Sequence, residues 1–208
     1  VLIAGTLIGI IASGVERRVD EMQRARTTIV ESDHVVVLGA SSRLPTIVEQ
    51  LALAGRHRRR NAIVVLADED PTDLRESIRA SGVSLLGSKL VVRAGVPDRV
   101  GDLEMVRMDR ARAAIVIADD DTDEDTGVVK AVLAIGAALG GFESMTIVAE
   151  LREPQMARRL VQACGPRVEP LLAVQAIARL TSYSLREPGL REVLDELLDS
   201  RGSDLYLH

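Results

Sequence analysis

Apolar residues recur along this chain in two alternating rhythms. Short apolar runs, HVVVLG from His34, AIVVLAD from Ala62, KLVVRAG from Lys89, RAAIVIAD from Arg112 and MTIVAEL from Met145, read as strands, and AIVVLAD, apolar up to Asp68, as one buried on both faces. Segments with helical spacing fall between and after them: 44–55, 72–82, a short one within 96–108, 123–139 and 154–164. Gly55 closes the first, and Asp70-Pro71-Thr72 opens the second with a capping acid ahead of a proline. A short strand near 167–171, a helix over 171–185, a last helix at 190–198 and a terminal strand from Ser203 complete the pattern. Strands alternating with helices at this spacing predict an α/β fold, a Rossmann-like, doubly wound parallel sheet with right-handed crossovers.

The opening stretch has a different texture. VLIAGTLIGIIAS is apolar over almost its whole length, and Glu16, Arg17, Arg18, Arg24 and Arg26 follow it. Thirteen helical residues reach about 20 Å, short of a hydrocarbon core roughly 30 Å thick. Arginines after the apolar run mark the cytoplasmic end of a membrane helix rather than a signal peptide. Gly5, Gly9 and Gly14 suit close packing in lipid. The expectation is the truncated end of a membrane helix; a soluble helix packed on the domain is the alternative. The division that follows is 1–13 membrane helix, 14–33 linker, 34–170 Rossmann-like lobe and 171–208 C-terminal helices and strand.

Composition narrows the function classes. A net charge of −5 argues against a general nucleic-acid binder, which needs a basic face. With one cysteine, Cys164, the chain has neither an intrachain disulfide nor a cysteine-based zinc site. No Ser, His and acid set suggests nucleophilic catalysis, and His34, His57 and His208 show no ligand spacing. The chain therefore reads as a non-enzyme.

The candidate ligand site is the first strand-to-helix turn, VVVLGASSRL. A dinucleotide loop uses three glycines: one for the turn, one for pyrophosphate approach, one for helix packing. Gly39 keeps the first role, while Ser41 and Leu44 replace the other two. Asp68, ending the second strand, stands where an acid would grip a ribose, and Gly95 ends the third. The candidate cofactor-binding residues are Gly39, Ser41, Asp68 and Gly95. The loop disfavours NAD or ATP and leaves a smaller ligand or a purely structural turn as alternatives.

The stretch DDDTDEDTG, 119–127, crowds six acids into seven positions. Asp119, Asp120, Asp121, Asp123 and Asp125 form a candidate Ca²⁺ site built from hard oxygen ligands. It is no EF-hand loop, and one or two of its acids are explained by capping the next helix. The helix 171–185, with Leu171, Leu172, Val174, Ile177 and Leu180, shows little polar face. That suggests a second subunit packed on it, with burial inside the monomer as the alternative.

The order of these parts resembles the RCK (regulator of potassium conductance) architecture, and more narrowly the CASTOR/POLLUX ion-channel family. The resemblance rests on GIIASGVERRVDEMQRARTTIVESDHVVVLGAS, VVLADED, VVRAGVPDRVGDLEMVRMDRARAAIVIADDD and EPGLREVLDELLDSRGSDLYL, and covers nearly the whole chain. It implies a cytosolic, ligand-sensing gating module of a tetrameric cation channel of potassium or calcium type. It places the chain at the cell membrane with this domain on the cytoplasmic side. Nucleotide-binding relatives carry the full glycine fingerprint and an acid after the third strand's glycine, where this chain has Val96. Plant members are associated with calcium, which strengthens the acidic loop as a candidate. The rival readings are an NAD(P)-binding oxidoreductase fragment and a non-sensing assembly domain.

Overall fold

A computed structural model describes residues 27–120 and 125–186, with a few further positions between 189 and 196. The expected membrane helix, most of the linker, the last helix and the terminal strand lie largely or wholly outside the described residues. Among the described residues no helix is long and apolar enough to cross a membrane.

Six strands form one sheet: β1 (His34–Leu38), β2 (Ala62–Ala67), β3 (Lys89–Ala94), β4 (Ala111–Val116), β5 (Thr146–Leu151) and β6 (Val168–Leu172). Their order is β3-β2-β1-β4-β5-β6 and every pairing is parallel. The sequence reverses direction between β1 and β4, which makes the space beyond their carboxyl ends the switch point of the fold. The helices are α1 (Leu44–Ala54), α2 (Pro71–Ala80), α3 (Val100–Met105), α4 (Thr126–Leu139), α5 (Pro154–Cys164) and α6 (Ala173–Arg186).

Burial on both faces holds for the two central strands, whereas β3, β4 and β5 each keep partly exposed residues. All five residues of β1 and all six of β2 are buried. Alternate residues feed opposite layers. Val36, Leu38, Val64 and Leu66 pack toward α3, α4 and α5, while Val37, Ile63 and Val65 pack toward α1 and α2. Each such side chain contributes about 1.5–3 kcal/mol by leaving water, so an unpartnered polar residue at any of these apolar positions would damage one layer or the other. At α2, Asp70 accepts the Thr72 N–H at 2.8 Å and Pro71 occupies the first turn, as the sequence indicated.

The C-terminal boundary differs from the sequence reading. β6 runs through Leu172, because Leu171 and Leu172 pair in register with Glu150 and Leu151. α6 begins at Ala173 and not at Leu171. Pro170 is tolerated because β6 is an edge strand.

The end of the linker is fixed to the lobe at several points. Ile29 is buried and its N–H donates to the Met105 carbonyl at 3.0 Å. Arg93 Nε donates to the Thr27 carbonyl at 3.0 Å, and Lys89 pairs with Glu31. Asp33 N–H donates to the Arg110 carbonyl at 2.9 Å, and Arg58 pairs with its carboxylate at 3.1 Å.

Candidate functional site

Three residues nominated from the sequence, Gly39, Asp68 and Asp119, meet at one place, while Gly95 and Ser41 are not among the residues that line it. Gly39, Asp68 and the β3–α3 loop after Gly95 surround a cleft of about 250 Å³ beyond the carboxyl ends of β1, β2 and β4. Leu38, Ala40, Val116 and Ile117 form its floor, and Asp68, Glu69, Asp98 and Asp119 stand among its walls.

Gly39 is required by geometry. Its φ is +96°, and an added Cβ would stand 2.9 Å from the Ile117 carbonyl oxygen. The turn therefore carries the backbone across the end of β4 at a separation that only glycine permits. Gly95 does its work by close approach: a Cβ there would meet Leu66 Cδ1 at 2.8 Å and Asp102 at 3.1 Å. The Asp102 carboxylate accepts the Val96 N–H at 2.8 Å and holds that loop down.

Ser41 lies beside the cleft at the turn, where its hydroxyl accepts the Arg43 N–H at 3.3 Å. The Ser42 N–H donates to Asp120 Oδ2 at 2.6 Å, and Arg43 Nη1 pairs with Asp120 Oδ1 at 2.8 Å. Arg43 Nη2 also donates to the Ala118 carbonyl at 3.1 Å and reaches Glu150 at 3.3 Å. The Ser42 amide, seconded by the Arg43 guanidinium, holds the Asp120 carboxyl below the usual carboxylate range.

The acidic stretch separates into different jobs. Asp119 lines the cleft, Asp120 turns to the β1–α1 loop, and Asp125 is buried against the segment before α5. Asp125 makes no side-chain cap on its own helix. It accepts instead the N–H groups of Arg152 and Glu153, both at 2.9 Å, ahead of α5. Asp121 and Asp123 lie outside the described residues. Among the described residues no group of three or more His, Cys, Asp or Glu side chains is arranged to hold a metal.

Sequence reasoning did not single out Arg43 or Glu150. The available signal was positional: Arg43 follows the glycine turn, and Glu150 is a charged residue near the end of a largely apolar strand. Cys164 is buried, and burial pushes its thiol up, away from nucleophilic reactivity.

The helix read as 171–185 carries no buried residue in α6, and Val174, Ile177, Tyr183 and Leu185 are exposed. Among the described residues none covers this face of α6.

A parallel sheet ordered 3-2-1-4-5-6, with its cleft at the switch point and a linker fastened to its flank, defines a Rossmann-like lobe. Residues 30–149 match the calcium-activated potassium channel slowpoke-like RCK domain, and the chain belongs to that family. The whole chain is similar to the probable ion channel POLLUX of Arabidopsis thaliana, 27% identical over 99% of this chain and 25% of that protein. It thus spans about a quarter of that relative's length. Two solved structures share the fold. The human SLO3 gating ring has a TM-score of 0.59 and 16% identity, covering 85% of this chain and 36% of that one. The TrkA-N domain of the inner membrane protein ybaL from Escherichia coli has a TM-score of 0.54 and 17% identity, covering 76% and 100%. The resemblance to CASTOR/POLLUX channels read from the sequence therefore holds, as does the Rossmann-like fold.

Proposed function

We propose that this chain is the cytosolic ligand-sensing gating module of a tetrameric cation channel, acting on a pore helix through the linker. It regulates conduction and catalyses nothing. The observation that carries the reading is the placement of α3. Asp102 on this helix holds the cleft rim through the Val96 N–H, and Met105 at its other end holds the linker through the Ile29 N–H. Six helical residues span about 9 Å. A single short helix, anchored in the core by buried Leu103, thus touches both the ligand cleft and the segment leading toward the membrane.

A ligand that favours one position of the rim also favours one position of Met105 and of the linker. It shifts the equilibrium only by its differential affinity for the two arrangements. Ca²⁺ is the candidate ligand, on the acidic residues Asp68, Glu69, Asp98 and Asp119 that line the cleft. Subunits assemble through the exposed apolar face of α6, with the apolar opening segment in the membrane and the lobe on the cytoplasmic side.

The test is Asp102→Ala in the intact channel, recorded in inside-out patches while Ca²⁺ is stepped on the cytoplasmic face. The native channel responds, and D102A conducts with a weakened or absent response. A non-sensing assembly domain would give no Ca²⁺ response in either protein.

A further inference from the structure

The ligand cleft borders the position where this fold class receives phosphate, and the chain fills that position itself. In such folds the amino end of the first helix offers free backbone N–H groups to a phosphate. Here one carboxylate spans the Ser42 N–H and the Arg43 guanidinium, at 2.6 Å and 2.8 Å. An amide and a guanidinium fork are the donors that would hold a phosphate monoester. Arg43 is also tied to the Ala118 carbonyl and to Glu150, so its position is set by the ends of β4 and β5. The Ser42 amide and the Arg43 guanidinium hold the Asp120 carboxyl below its ordinary range. Asp68, Glu69, Asp98 and Asp119 line the adjoining cleft with no Lys or Arg among them, which adds repulsion against an incoming anion.

We infer that Asp120 is the specificity determinant of this cleft: its carboxylate stands in for a phosphate and turns the lobe away from dinucleotides and other phosphorylated ligands. The inference rests on the cleft being a ligand site. An incoming phosphate must displace a group tethered to the same chain, whose effective concentration a free ligand does not match. The cleft then admits neutral or cationic ligands. The missing second and third glycines of the loop fit this arrangement, since no pyrophosphate has to approach the turn.

The test is calorimetric titration of inorganic phosphate into the purified 208-residue chain, comparing native, Asp120→Ala, and Asp120→Ala combined with Arg43→Gln. The native chain gives no saturable heat. D120A binds phosphate at least about tenfold more tightly than the native chain, and adding R43Q removes the gain. Should D120A fail to fold by circular dichroism, Asp120→Asn, which keeps the shape and drops the charge, carries the same expectation. The inference is overturned if the native chain binds phosphate as well as the variant does. It is equally overturned if a folded variant gains nothing, if the gain survives R43Q, or if neither variant folds. The D102A recordings involve no phosphate. An unchanged Ca²⁺ response there, alongside a phosphate gain in D120A, removes the gating reading and leaves Asp120's role intact.

Discussion

The Asp125 carboxylate accepts the Glu153 N–H at 2.9 Å, joining the start of α4 to the start of α5 across the end of β5. Its other oxygen takes the Arg152 N–H, so one buried acid satisfies two backbone donors of a neighbouring element. Asp125→Ala leaves both donors unpaired. The expected loss is about 1–3 kcal/mol, read as a lower urea midpoint with unchanged slope. Asp125→Asn, which retains one good acceptor, loses less.

His34 supplies a pH dependence. Its ring is fully buried, Nε2 donates to the Val106 carbonyl at 3.0 Å, and Nδ1 has no partner among the described residues. Burial pushes the imidazole below its ordinary value of 6.5, outweighing the Val106 bond and nearby Glu31 and Asp109, while Arg112 adds to the depression. The unfolded chain therefore binds this proton at higher pH than the folded one. Stability is full above the unfolded value and falls as pH drops through it, by at most about 1.4 kcal/mol per pH unit for one group. The carboxyls of Glu31, Asp109 and Asp120, held low, lose their contributions only at more acid pH. Urea midpoints measured from pH 7 down to about 5 should decline in the native chain, and His34→Gln should flatten that decline.

The first turn should tolerate no side chain. Gly39→Ala places a Cβ against the Ile117 carbonyl in a left-handed conformation, at a cost of about 1–3 kcal/mol. Thermal denaturation should show the loss, and the same change at Gly82, which is left-handed but has no atom within 4 Å, should cost less.

The α6 face should drive self-association. Val174 and Ile177 are 59% and 62% exposed, one helical turn apart. Val174→Asp with Ile177→Asp should leave the lobe's melting temperature within a few degrees of native and lower the sedimentation coefficient to that of the monomer. An unchanged oligomer would place the interface elsewhere.

The centre of the sheet was legible because burial on both faces leaves an unmistakable apolar run. β1 and β2 could hardly be anything else, and Asp70-Pro71 marked a helix start by local chemistry alone. The start of α6 was not legible. Leu171 and Leu172 suit a strand or a helix equally, and only their register with Glu150 and Leu151 decides. The site was half visible. Gly39, Asp68 and Gly95 announce themselves as strand-end residues. The meeting of Ser42 and Arg43 with Asp120 bridges 77 or more positions, and no periodicity encodes a contact of that separation. Asp125 shows the same limit: its place before α4 suggests a cap for that helix, while the donors it satisfies belong to another element.

The central claim is that the lobe moves the pore through the linker fastened at Ile29. The most direct measurement is the open probability of the intact channel in inside-out patches, native against a chain with a flexible Gly/Ser segment inserted between residues 26 and 27. If the linker transmits the signal, the insertion leaves conduction intact and abolishes the response to cytoplasmic Ca²⁺. A Ca²⁺ response identical in the two proteins would contradict the account.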